Sequence, residues 1–264
     1  MIIIRLAIMA SSKWRTYRSF LNLFRYSLLP ISAMLAFHCS QCPTRQQSAF
    51  KTLEAGEVET LCAHKRFGAV NKGETLVQQG SYPKGVYCVQ QGFFKLVRPA
   101  SSGKETIVRF AGPGDLIGYR AILSGEPVAL QAVAIQNASA CFVPSSILLG
   151  FLNSNGPFSL ELLKNTCLEL SEANRVLSSL AQKSVKQRLA EVLLMLHAKF
   201  HEDHDGCIDV DLKRSELADL VGTATESLIR LLADFEKEKL ICRDGKRFRL
   251  SQPERLAHLA ALTD

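Results

Sequence analysis

Two cysteines separated by two residues, Cys39 and Cys42, are the first constellation in this chain that could do chemistry. As thiolates they are soft ligands for zinc, iron or an iron–sulfur centre, and as thiols they could form a redox pair. The plain alternative is a structural role, because a free cysteine packs as a small apolar residue, which also suits Cys88, Cys141 and Cys167. The eight cysteines are spread from Cys39 to Cys242, which fits reduced thiols in a cytoplasm better than a disulfide framework. His201, His204 and Cys207 also have ligand spacing, but they sit in the acidic stretch HEDHDGC, which reads as a solvated turn. Catalytic signatures are missing from the sequence: there is no Gly-x-Ser-x-Gly, no phosphate loop ending in Lys-Ser/Thr and no His-Glu-x-x-His, and an enzyme is not expected.

The second constellation is Thr225, Glu226, Ile229 and Arg230, within two turns of the start of one helical stretch. An arginine there can offer a fork of donors to guanine O6 and N7, and a glutamate can accept from a cytosine amino group, each worth about 1–3 kcal/mol of discrimination. Two other uses stay open: Thr223-x-x-Glu226 has the spacing of a capping box, and Arg230 could be a solvated ion-pair partner. Candidate phosphate contacts are Lys213, Arg214, Thr223, Ser227, Lys246, Arg247 and Arg249. They must act as a local patch, because residues 182–264 hold 14 Lys+Arg against 15 Asp+Glu.

The elements that position these residues follow from periodicity. From about residue 52 to 144 the chain reads as short strands punctuated by glycine, including VYCVQQGFFKLV (86–97) and ETIVRF (105–110), split by a turn at residues 100–103. That pattern predicts a β-sandwich or barrel. After Pro157 the pattern turns helical, and Leu163, Cys167, Leu170, Asn174, Leu177, Ala181 and Ser184 fall along one seam of a single long helix. Such a seam calls for a partner helix, and the polar Asn174 within it can fix pairing register. Ser184-x-x-Gln187 has capping-box spacing and predicts a bend or break there. A β segment is expected at residues 207–212, then two helices (215–221 and 223–240) separated by Gly222, then a hairpin turning on Asp244-Gly245. Helix-turn-helix plus hairpin is a winged helix.

At this point RSELADLVGTATESLIRLLADFEKEKLI (214–241) resembles the DNA-binding motif of the CRP/FNR family of bacterial transcription regulators, and GDLIGYRAILSGEP (114–127) resembles its sensor domain. The resemblance runs from about His38 to the C-terminus. It implies an α+β fold: an N-terminal β-roll of the cyclic-nucleotide-binding jelly-roll type, a long dimerisation helix and a C-terminal winged helix-turn-helix. It also implies a homodimer on double-stranded DNA, a palindromic site with a TGA-like half-site core read through Glu226 and Arg230, and RNA polymerase as a candidate partner. Cyclic AMP is not expected. Tyr119 stands where nucleotide-binding members carry a glutamate, SGEPVALQ (124–131) has no arginine for the phosphate, and Arg120 would point to the other side of a strand. Oxygen-sensing members hold an iron–sulfur cluster through three N-terminal cysteines and one in the sensor domain. Cys39, Cys42 and Cys141 match three of these, but Ser48 takes the remaining place and leaves the ligand set incomplete. An alternative function is a ligand- or protein-interaction module whose winged helix docks onto protein.

The expected layout is an extension outside the fold (1–33), a β-roll (34–158), a dimerisation helix (159–183) and a winged helix (184–264). At 47% hydrophobic and 22% charged, 264 residues can fill two ordinary cores. The extension carries five of the net seven positive charges and no acid, and is expected to be upstream sequence before Met34 or a tail, with a signal peptide as the competing reading. The apolar run at residues 28–37 is half of what a membrane span needs, about 20 residues, so no membrane association is expected.

Overall fold

The computed structural model of the chain describes residues 38–99 and 105–261. The extension expected at residues 1–33 and the turn expected at 100–103 lie outside the described residues. Those described form two compact units, the first ending at Asn174 and the second beginning at Arg175.

The first unit opens on short helical pieces: a 3-10 turn at Cys39–Gln41, helix α1 (Pro43–Gln47), a second 3-10 turn at Ala49–Thr52 and helix α2 (Ala55–His64). Helix α2 corrects the expectation of strands from residue 52. Its start is fixed by Glu57, whose carboxylate accepts the Glu54 N–H at 3.0 Å. The strands follow as β1 (Arg66–Val70), β2 (Thr75–Val77), β3 (Gly85–Gln91), β4 (Phe94–Pro99), β5 (Glu105–Ala111), β6 (Leu116–Ile117), β7 (Gln131–Ala134) and β8 (Ala138–Pro144), with helix α3 (Tyr119–Ser124) between β6 and β7. They build two four-stranded antiparallel sheets, ordered β1-β8-β3-β6 and β2-β7-β4-β5, which is the β-roll. The strand-like run 86–97 is divided between the two sheets. Gly92 makes the break at φ 76°, and a Cβ there would lie 2.8 Å from the Asn137 carbonyl oxygen.

Helix α4 (Ser145–Ser154) was not foreseen, and the long helix α5 (Gly156–Gln182) starts just after it. Phe158 and Leu162 from α5, Leu148 and Phe151 from α4, and Phe50 close one side of the roll into a buried core with Val86 and Val143. Phe158 stacks on Phe50 at 5.6 Å between ring centroids and meets Phe151 edge-on at 6.0 Å.

In the second unit, α5 ends at Gln182 and α6 (Val185–Lys199) begins afresh, so the helix does not continue through Ser184. Ser184 caps α6: its hydroxyl accepts the Gln187 N–H at 3.3 Å while the Gln187 side chain accepts the Ser184 N–H at 2.9 Å. The β segment expected at 207–212 is reduced to a single bridge, Glu202 to Ile208. The Asp203 carboxylate accepts the N–H groups of Asp205 and Cys207, curling the chain into a turn before a strand can form. Helices α7 (Arg214–Val221) and α8 (Thr225–Lys237), the hairpin β9 (Ile241–Asp244) and β10 (Arg247–Leu250), and α9 (Pro253–Leu259) complete a winged helix-turn-helix. Leu189, Leu193, Leu196, Leu217, Leu228, Leu232 and Phe235 are buried in it.

Candidate DNA-reading helix and thiol pocket

The turn between α7 and α8 is set by Gly222 at φ 69°, whose N–H bonds the Asp219 carbonyl while the Thr223 N–H returns to Ala218. A Cβ on Gly222 would meet only the end of the exposed Leu180 side chain, at 2.7 Å, so glycine is required here by the positive φ. Arg188 holds the turn from below, donating to Val221 O at 2.8 Å, Gly222 O at 3.1 Å and Lys183 O at 2.9 Å.

Helix α8 buries Leu228, Leu232 and Phe235 and turns Glu226, Ile229, Arg230 and Ala233 outward, which is the i, i+3, i+4, i+7 face. Ala224, not Thr223, is the N-cap, and no side chain caps this end. The capping-box use of Thr223 and Glu226 is therefore absent, and the Glu226 carboxylate is not committed to its own helix. Thr225 and Ser227 are half-buried beside it. The helix thus presents an acceptor, an apolar surface and a guanidinium near its N-terminus, where uncapped N–H groups favour phosphate.

The basic residues divide into two kinds. Lys213, Lys246 and Arg249 are exposed. Arg214 instead lies 4.6 Å from the Phe248 ring centroid and donates to Gly245 O at 2.8 Å and Lys246 O at 3.2 Å, tying α7 to the wing turn. Arg247 is held by Asp203, Asp205 and Asp244. One cation of α7 and one of the wing are thus committed to the shape of the wing.

Along α5, the six seam residues Leu163, Cys167, Leu170, Asn174, Leu177 and Ala181 are all exposed, and Leu160, Leu168 and Leu180 widen the apolar strip. Cys167, expected as a small core residue, is on this open face.

Tyr119 and Arg120 lie on α3 rather than on a strand. The Tyr119 hydroxyl donates to Glu169 at 3.2 Å, and Arg109 at 3.0 Å and Arg120 at 3.4 Å pair with the same carboxylate. Burial pushes the Tyr119 phenol up. Both arginines near this point already have an anion.

The cysteines converge. Cys39, Cys42, Cys88 and Cys141, all buried, line one cavity with Lys65, Gln90 and Arg45. Arg45 fixes the N-terminal loop by donating to Cys39 O at 2.9 Å and Phe50 O at 3.1 Å. The Gln90 amide reaches Cys42 Sγ at 3.3 Å and Cys141 Sγ at 3.9 Å. Cys62 stands against Cys39 from α2. Burial pushes the Cys141 thiol up to about 11, with Lys65 opposing it, and raises Cys39 and Cys88 as well. A buried Cys39 thiol whose pKa is raised is a poor nucleophile, which argues against a fast redox pair with Cys42. Their donor chemistry fits a soft metal centre, which deprotonates its own ligands on binding. Ser48 donates to Arg45 O at 2.9 Å and caps the next turn, as a serine should. Cys88, Gln90 and Lys65 are not singled out for this site by the sequence, which gives Cys88 a core role; its strand pairing sets it opposite Cys141.

A family model for the cyclic nucleotide-binding domain matches residues 68–155, and one for the Crp-like helix-turn-helix domain matches residues 187–259. The chain is 30% identical over 213 residues to the CRP-like cAMP-activated global transcriptional regulator of Mycobacterium tuberculosis, covering 80% of this chain and 95% of that one. It is 26% identical over 231 residues to the fumarate and nitrate reduction regulatory protein of Escherichia coli, covering 86% and 92%. The solved structure of FixK2 from Bradyrhizobium japonicum shares the fold, with a TM-score of 0.67 at 24% identity over 76% of this chain and 99% of that one.

Proposed function

The chain belongs to the CRP/FNR family of transcription regulators, and we propose that it acts as a cytoplasmic homodimer reading a palindromic DNA site through α8. The open face of Glu226, Ile229 and Arg230, opposite the buried Leu228 and Leu232, carries this reading. Arg230 bonds guanine, Glu226 accepts from cytosine, Ile229 contacts a thymine methyl group and Thr225 supports them. Lys213, Lys246 and Arg249 neutralise phosphates with help from Thr223 and Ser227, while Arg214 and Arg247 position the wing. RNA polymerase is the partner through which such a regulator would act. The direct test is fluorescence anisotropy against a duplex with two TGA-core half-sites and against random DNA, each at several salt concentrations. Equal affinity for both duplexes rules the reading out.

The layout is a β-roll (34–158), a dimerisation helix (159–183) and a winged helix (184–264). Pairing of two α5 strips supplies the cover for the exposed leucines and sets the two α8 helices about one DNA turn, roughly 34 Å, apart. Sedimentation at micromolar concentration should therefore give a dimer. A monomer, with and without DNA, contradicts it.

The sensor input is not cyclic AMP. Tyr119 and the Arg109–Glu169–Arg120 cluster support this, since the cations that could hold a phosphate are already paired. Calorimetry should show no binding tighter than about 10 µM, a ΔG near −7 kcal/mol. Tighter binding overturns it. The input runs instead through a metal centre held by Cys39, Cys42 and Cys141. When bound, an iron–sulfur centre would supply redox or oxygen sensitivity. The protein's own part is to hold the N-terminal loop in shape through Arg45 and against strand β3 through Gln90.

A further inference from the structure

We propose that Cys88 is the fourth thiolate ligand of this pocket, completing with Cys39, Cys42 and Cys141 a site for one thiophilic metal centre. This rests on reading the first three as metal ligands, and it replaces a ligand set left incomplete by Ser48. Strand pairing provides the first observation. Cys88 on β3 sits directly opposite Cys141 on β8 in the antiparallel ladder, where paired Cα atoms are about 4.5–5.5 Å apart and side chains share a face. Gln90, at the bulge in β3 two residues on, lines the same cavity and touches the sulfurs of both Cys42 and Cys141, so the loop and the two strands meet at one place.

The second observation is Ser48. Its side chain is near enough to the Cys88 thiol to act on it electrostatically, while its hydroxyl donates to Arg45 O at 2.9 Å. The place where an N-terminal sulfur is missing is thus the place where a strand sulfur arrives. An alcohol stays protonated and hard, whereas a thiol gives up its proton to a soft metal. The third observation is charge. Four thiolates around Zn²⁺, or around a cluster core of charge +2, carry a net charge of −2, and Lys65 and Arg45 line the same cavity. A lysine and an amide among four thiols suit an anionic centre better than an apolar core. Among the described residues no three Cys, His, Asp or Glu side chains are placed so that they could hold a metal ion without moving. Binding therefore draws the four sulfurs inward, releases their protons to solvent and breaks the Gln90 contacts.

The full-length protein is purified anaerobically and loaded in two arms, Fe³⁺ and Fe²⁺ together with sulfide and Zn²⁺ alone, then gel-filtered and assayed for metal and acid-labile sulfide. Iron together with sulfide identifies a cluster, and one zinc per chain without sulfide identifies a single ion. In whichever arm wild type holds metal, Cys88→Ala should lower the content by roughly tenfold or more, as Cys141→Ala does. Adding Ser48→Cys to Cys88→Ala should restore it. Wild-type stoichiometry in Cys88→Ala beside loss in Cys141→Ala overturns the fourth ligand alone. Metal-free wild type in both arms overturns the three-cysteine reading with it. Loss in Cys88→Ala accompanied by a lowered unfolding midpoint, and not rescued by Ser48→Cys, assigns the effect to folding and also overturns the proposal.

Discussion

Arg230→Ala should weaken binding to the cognate palindrome by roughly 1–3 kcal/mol per half-site and flatten the preference at one base pair, while binding to random DNA changes little. The reason is geometric. Arg230 stands one turn after Glu226 on the exposed face of α8, and a guanidinium there can satisfy O6 and N7 of one guanine together. Random DNA does not offer that pair in register, so it has little to lose. Lys246→Ala is the internal contrast. Its ammonium is exposed on the wing turn, 3.8 Å from Asp211, and should act on phosphate alone. Its loss should lower all affinities alike and reduce the salt slope by about one. Titrations of both variants on cognate and random duplexes, at three salt concentrations, separate the roles. Equal losses on both duplexes for Arg230→Ala would remove it from base reading.

Local chemistry made the C-terminal half readable. Gly222 and Asp244-Gly245 each demand a left-handed backbone or a tight turn within a few residues, and the Ser184–Gln187 pair closes over one turn, so the helix-turn-helix, the wing and the break after α5 follow from short-range rules. Residues 145–154 were harder, because they bury only Leu148 and Phe151, too few to display a helical period. The roles of cations were harder still. Arg214 and Lys213 are neighbours of one type of charge, yet only contacts with Phe248 and the wing carbonyls, more than thirty residues away, show that Arg214 is spent inside the fold. Cys88 is the same kind of case: nothing near residue 88 announces a ligand, and its relation to Cys141 depends on a register between strands separated by half the β-roll.

Glu191→Ala should destabilise the C-terminal unit by about 2–3 kcal/mol, from the loss of one buried carboxylate that three side chains share. Glu191 is only 6% exposed and sits on α6, facing the end of α5. Ser179 donates to its Oε2 at 2.6 Å, Lys183 approaches the same oxygen at 3.2 Å, and Arg175 pairs with Oε1. Lys183 also donates to the Ala260 carbonyl at 2.8 Å, so the network joins α5, α6 and the end of α9. Removing the carboxylate leaves two cations facing each other with a buried hydroxyl between them. The cost falls short of a fully buried pair because Arg175 and Lys183 keep side-chain exposures of 34% and 20%, and water can partly resolvate them. Glu191→Gln should cost less than Glu191→Ala, since its amide oxygen still accepts from Ser179. Replacing Arg175, Lys183 and Glu191 together by apolar residues of similar volume should recover most of the loss, because no unpaired charge then remains. Urea unfolding followed by circular dichroism, with the slopes compared, reads all three variants. An Ala midpoint equal to wild type, or a triple variant weaker than Glu191→Ala, would show that shape rather than charge holds this junction.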